Sequence, residues 1–217
     1  TGTATNITPD RETGIGSWTD DEIKRAIVAG KRPSHGRLPN TELAGVMATS
    51  FFKAMTPSDL DAVVAYLRSI PALRNQVPAP VYRLPQRHQP FPDAEAGFSE
   101  AKMSDPVYRG RYLVTIAHCM ECHTPLEKGT RQWDRLGAGG FEFRGPWGVS
   151  VSRNITSSKT KGIGAWSDDE IKRAIVEGAS KDGGKLKPPM GYQYYATMTA
   201  DDLDAVVAYL RTVPPID

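Results

Sequence analysis

Cysteine is nearly absent from this 217-residue chain, which has two, and no apolar run approaches the ~18 residues that a membrane-spanning helix needs. Neither sign of charge dominates. The 27 basic and 25 acidic side chains leave a formal +2, which argues against a nucleic-acid binder, and no block of like charge reverses that. The first residues, T-G-T-A-T-N-I-T, lack a basic start and an apolar run, so they do not read as a signal peptide. What remains is ordinary for a soluble globular protein: 39% hydrophobic and 24% charged residues, in a length that predicts one or two domains.

The two cysteines stand three residues apart, in His118-Cys119-Met120-Glu121-Cys122-His123. A C-x-x-C-H run is the attachment site of c-type haem. Two thiols one helical turn apart reach the two vinyl groups of one porphyrin, and the next residue places an imidazole under the iron. Cys119 and Cys122 are thus expected to carry covalent haem c, with His123 as proximal metal ligand. Other uses of the pair fit less well. A disulfide would close a tiny loop and stabilise little. A thioredoxin-like redox pair expects a βαβ context, and nothing strand-rich precedes these cysteines. A structural zinc site wants four ligands, and no further cysteine exists. Haem attachment of this type is completed outside the cytoplasm, so an exported, periplasmic protein is expected, its signal peptide not in this sequence.

The chain also repeats itself. D-D-E-I-K-R-A-I-V occurs at Asp20 to Val28 and again at Asp168 to Val176, an offset of 148 shared by Asn6-Ile7-Thr8 with Asn154-Ile155-Thr156 and by Trp18 with Trp166. D-L-D-A-V-V-A-Y-L-R occurs at Asp59 to Arg68 and at Asp202 to Arg211, offset by 143. So long a period means duplicated domains, not a solenoid. Between the copies, Pro71 to Pro106 holds seven of the 17 prolines and reads as an extended, semi-rigid connector. The expected organisation is a first domain at 1–72, a linker at 73–103 and a second domain at 104–217.

The fold is expected to be all-α. Thr56 to Arg68 and Thr199 to Arg211 each open with T-x-x-D and set four apolar residues on one face: Leu60, Val63, Val64 and Leu67, and Leu203, Val206, Val207 and Leu210. Ser167-Asp168-Asp169-Glu170 starts another helix, acidic in its first turn. Asp105 to Ala117 is the helix leading into the cysteine motif, where Gly110 permits close approach of another helix, and the glycines between His123 and Asn154 indicate a loop wrapped round a flat cofactor.

A second axial ligand is expected from a methionine, whose soft thioether favours ferrous iron and raises the potential. Of six methionines, Met103 and Met120 are badly placed and Met198 falls at a helix entry, where packing is its natural role. Met190 follows Pro188-Pro189, which fix an extended approach, and is preferred. Met47 is its counterpart in the first copy.

With these residues in view, 104–217 resembles a class I cytochrome c domain. The whole chain is similar to the multi-haem cytochrome c subunits of bacterial periplasmic alcohol, aldehyde and gluconate dehydrogenases. The matching features are C-M-E-C-H, N-I-T followed by G-I-G-x-W-x-D-D-E, P-P-M-G-Y, and M-T-x-x-D-L-D-A-V-V-A-Y-L. The resemblance implies axial ligation by His123 and Met190, and a place beside the haem for Asn154, Ile155 and Trp166. It also implies redox partners: a dehydrogenase as donor and a downstream carrier, quinone pool or oxidase as acceptor. Electron transfer is accordingly expected, and no catalytic residues, since no nucleophile, base and orienting group occur together. A diheme peroxidase and a haem-based gas sensor are the rivals.

The first copy departs from this pattern. It keeps Asn6, Trp18 and Met47 but has no C-x-x-C-H, which by the offset falls about thirty residues before Thr1, with its preceding helix. Two explanations compete. Either the sequence is an N-terminally incomplete piece of a longer multi-haem protein, in which Met47 faces a second haem, or the domain has naturally lost its haem. A half-domain without its cofactor and one helix should not be stable alone, which favours the first. Membrane association is then expected through a partner or the missing segment.

Overall fold

A computed structural model describes residues 4–82 and 89–217; residues 1–3 and the part of the proline-rich stretch at 83–88 lie outside the described residues. The chain divides into two compact units, Thr1–Phe98 and Ser99–Asp217.

The first unit contains helices α1 (Asp20–Ala29), α2 (Thr49–Phe52), α3 (Pro57–Ser69) and α4 (Pro92–Ala96). At the start of α1 the Thr19 hydroxyl accepts from the Glu22 N–H and the Glu22 carboxylate accepts from the Thr19 N–H, so two of the donors a helix start leaves over are satisfied. Gly30, left-handed at φ 67°, ends it. The core is built on Ile15, Ile23 and Val64, with Trp18, Ile27 and Leu67 packed against it. Of the four α3 residues read as a buried face, Val64 alone is buried; Leu60, Val63 and Leu67 are half-covered. The proline-rich stretch is packed at several points where its composition predicts an extended connector. Val77, Phe91 and Ala94 are buried, and the Phe91 ring lies 5.0 Å from that of Phe51.

The second unit contains α5 (Pro106–Ile116), α6 (Cys119–His123), α7 (Asp168–Val176), α8 (Tyr192–Tyr195) and α9 (Ala200–Thr212). Asp105 caps α5, with its carboxylate accepting from the Tyr108 N–H at 2.8 Å. Ser167 and Glu170 form the capping box of α7, and Thr199 accepts from the Asp202 N–H at the head of α9. Helices α5 and α9 meet at Gly110. Here Tyr112, Val114 and Thr115 of α5 are buried, as are Ala205, Val206, Val207, Tyr209 and Leu210 of α9. Ala205 and Tyr209 extend the apolar face read from the sequence, because the missing side chain of Gly110 lets the backbones close on them.

The all-α expectation needs one correction. Between α6 and α7 the chain forms two antiparallel hairpins, β1 (Leu126–Glu127) with β2 (Thr130–Arg131) and β3 (Glu142–Gly145) with β4 (Gly148–Val151). The second follows from the alternation in F-E-F-R and G-V-S-V about a Pro146-Trp147 turn, with the Phe141 and Phe143 rings edge to face at 4.6 Å.

Each unit is locked by one arginine. Arg68 donates to the carbonyls of Ile15 and Trp18 and pairs with Asp20. Arg211 donates to those of Ile163 and Trp166 and pairs with Asp168. Lys24–Asp61 and Lys172–Asp204 are a second matched pair of ion pairs. Among the described residues no helix is long and apolar enough to cross a membrane.

Candidate functional site

His118, left-handed at φ 44°, turns the chain out of α5, so Cys119, Cys122 and His123 share one five-residue helix. No disulfide joins the two cysteines. Burial, reinforced by the neighbouring Cys122, pushes the Cys119 thiol up to about 12, and burial with the nearby Glu121 charge pushes Cys122 up to about 11. A dithiol redox centre needs the opposite, a nucleophile held below its ordinary pKa.

The His123 imidazole is oriented by a backbone carbonyl. Nδ1 lies 2.7 Å from the Arg153 carbonyl oxygen. A carbonyl can only accept, so Nδ1 carries the proton and the Nε2 lone pair is left for a metal. Burial holds the imidazole below its ordinary value, which keeps it neutral at pH 7 despite the carbonyl. The Arg153 segment reaches His123 because of Gly139: its N–H donates to the His123 carbonyl at 2.7 Å, its φ is 74°, and a Cβ there would stand 2.6 Å from the Ser152 carbonyl oxygen. A glycine meets both demands, and the glycine-rich character of this segment is its sequence signal.

The other expected residues divide. Asn154 follows Arg153 directly, but its side chain serves the loop: Nδ2 donates to the Ile216 carbonyl at 2.6 Å while Oδ1 accepts from the Thr156 N–H and hydroxyl. Ile155 is half-buried beside Gly137, to whose carbonyl its N–H donates. The half-buried Trp166 offers its carbonyl to Arg211. Met190 is half-buried and sits just past a turn at Pro188-Pro189, its N–H donating to the Lys187 carbonyl at 3.3 Å. The expected extended approach is therefore a turn. Met47 is half-buried in the first unit, in a backbone turn to the Ala44 carbonyl. There the Trp18 indole N–H is buried with no partner among the described residues.

Tyr195 was not legible as a site residue. It closes α8, five residues after Met190, and lies near enough to Cys119 and Cys122 for both to act on its hydroxyl, which burial pushes above the ordinary phenol range. Its hydroxyl donates to the Ala117 carbonyl at 3.5 Å. Its one sequence signal is closeness to Met190. Taken together, a neutral oriented imidazole, two thiols within one helical turn of it and a methionine on a separate loop are a donor set that fits haem c.

Comparison with known proteins points the same way. Residues 107–214 match the cytochrome c family profile. The chain is 38% identical over 112 residues to the fructose dehydrogenase cytochrome subunit of Gluconobacter japonicus, covering 51% of this chain and 22% of that one. It is 30% identical over 233 residues to the cytochrome c subunit of the quinone-dependent alcohol dehydrogenase of Gluconacetobacter polyoxogenes, covering 98% of this chain and 48% of that one. A diheme cytochrome c-type protein of Cereibacter sphaeroides is 28% identical over 237 residues, 98% of this chain and 71% of its own. The chain thus spans about half or less of the two dehydrogenase subunits.

Proposed function

Because residues 107–214 belong to the cytochrome c family, we propose that this chain is an electron carrier, with haem c held by Cys119 and Cys122 and the iron ligated by His123 and Met190. One observation carries the reading most directly: the C-x-x-C-H helix presents an imidazole whose other nitrogen is already committed to a backbone carbonyl. Haem c, when bound, supplies a one-electron couple between ferric and ferrous iron. The chain supplies the rest. Arg153 and Gly139 hold the His123 ring in one orientation, and the Met190 thioether biases the site toward the reduced state. Such work needs no catalytic acid, base or nucleophile.

The finer parts of the proposal follow from the same chemistry. The carrier works in the periplasm as a subunit or partner of a dehydrogenase, passing electrons to a downstream carrier, quinone pool or oxidase; its similarity to proteins named as dehydrogenase cytochrome subunits supports this. The first unit is the later part of a second haem domain in which Met47 faces iron. Three features support that: the matched arginine locks, a Trp18 N–H with no partner among the described residues, and an α3 face that no described residue covers. Tyr66 of α3 is 67% exposed, whereas its sequence twin Tyr209, covered by α5, is 8% exposed. In a second haem domain a helix like α5 would cover it.

The test is a pyridine haemochrome assay with intact mass on matured protein, followed by redox titration. One covalent haem per C-x-x-C-H, reversible one-electron steps and a sulfur-to-iron charge-transfer band in the ferric form are expected. Colourless protein, bound zinc, or tight carbon monoxide binding by the native reduced form would overturn the reading.

A further inference from the structure

Met190 and the cysteine motif belong to separate segments, and α8 connects them. Its first residue, Tyr192, lies over Gly178, where a Cβ would stand 2.5 Å from the Tyr192 ring. Its last, Tyr195, reaches across to the turn that opens C-M-E-C-H and donates its hydroxyl to the Ala117 carbonyl. That carbonyl is one of those a helix end leaves without an intrahelical donor. Tyr195 is half-buried. The repeat provides an internal comparison: five residues after Met47 stands Phe52, a ring without a hydroxyl, so the oxygen at 195 is particular to the second copy.

We propose that Tyr195 is a positioning residue for the sixth ligand, its hydroxyl tying the Met190 loop to the attachment turn and so keeping the methionine seated on the iron. The proposal rests on the haem reading given above. A loop that opens lets an outside ligand compete, and the apparent affinity for that ligand scales with the fraction of molecules open. Removing the tie raises that fraction without removing Met190.

The experiment titrates ferric holoprotein with imidazole and follows loss of the sulfur-to-iron charge-transfer band. In Tyr195→Phe the half-saturating imidazole concentration falls about twofold to fivefold, the lower part of what losing one hydrogen bond does, since this one is 3.5 Å long, while Tyr194→Phe, on an exposed ring, titrates as wild type. Equal half-saturation in Tyr195→Phe and wild type, or an equal fall in Tyr194→Phe, overturns the proposal. A wild-type ferric protein lacking the band overturns the Met190 assignment and this proposal together, whereas a normal band with an unresponsive Tyr195→Phe overturns this proposal alone.

Discussion

Gly110 lies so close to Ala205 that a Cβ on it would stand 1.8 Å from the Ala205 carbonyl oxygen and 2.8 Å from the Tyr209 Cβ. Since α5 runs into α6 with one left-handed residue between them, this contact also sets where the cysteine motif begins. Gly110→Ala must push the two helices apart, at a cost of about 1–3 kcal/mol, as overpacked sites typically show. A lower denaturant midpoint at unchanged slope checks this.

Arg211 is the lock of the second unit, donating to the Trp166 carbonyl at 2.6 Å and the Ile163 carbonyl at 3.2 Å while pairing with Asp168. Arg211→Ala takes this donor from the Trp166 carbonyl, while the Ile163 carbonyl keeps only the Trp166 N–H, and costs about 1–3 kcal/mol. Arg211→Lys recovers little of it, because an ammonium lacks the planar fork that serves several acceptors at once. Thermal unfolding of the two variants measures the difference.

Met190→Leu removes the proposed sixth ligand and keeps the loop apolar. The haem stays covalently bound, the charge-transfer band disappears and the midpoint potential falls, because thioether ligation favours ferrous iron. Spectroelectrochemical titration reads all three. The same substitution at Met198 leaves band and potential in place.

Acid should weaken both units through their capping boxes. The Glu170 carboxylate accepts from the Ser167 N–H at 2.7 Å, which, with Lys181 beside it, holds its pKa below the usual range; Glu22 is held down in the same way by Thr19 and His35. A folded pKa below the unfolded one means that the unfolded chain binds more protons in acid. The contribution is therefore complete above the ordinary carboxylate pKa and is lost as pH falls through the folded value, in the window below about pH 5. Urea midpoints measured down that range fall less steeply in Glu170→Gln than in wild type.

The parts of this protein that could be read directly are relations between residues close in the chain. C-x-x-C-H places two thiols and an imidazole within one helical turn by spacing alone, and the Thr–Glu and Ser–Glu caps are three residues apart. The helix start at Asp168 follows from the Ser–Glu cap and that at Ala200 from T-x-x-D, and the duplication is visible as literal repetition. The β3–β4 hairpin was written in the alternation of F-E-F-R and G-V-S-V, but the surrounding glycines outweighed so short a signal.

Tertiary structure decided the rest. His123 meets a carbonyl 30 residues away, Arg211 one 45 residues away, and Tyr195 one 78 residues away. In all three the acceptor is a backbone oxygen, which every residue possesses, so no residue type or period marks it beforehand. Only the packing of α5 on α9 and the fold of the glycine-rich segment select which carbonyl each side chain meets. The chain's local order thus determined what chemistry it can hold; the choice of backbone partners that aim that chemistry belongs to the folded whole.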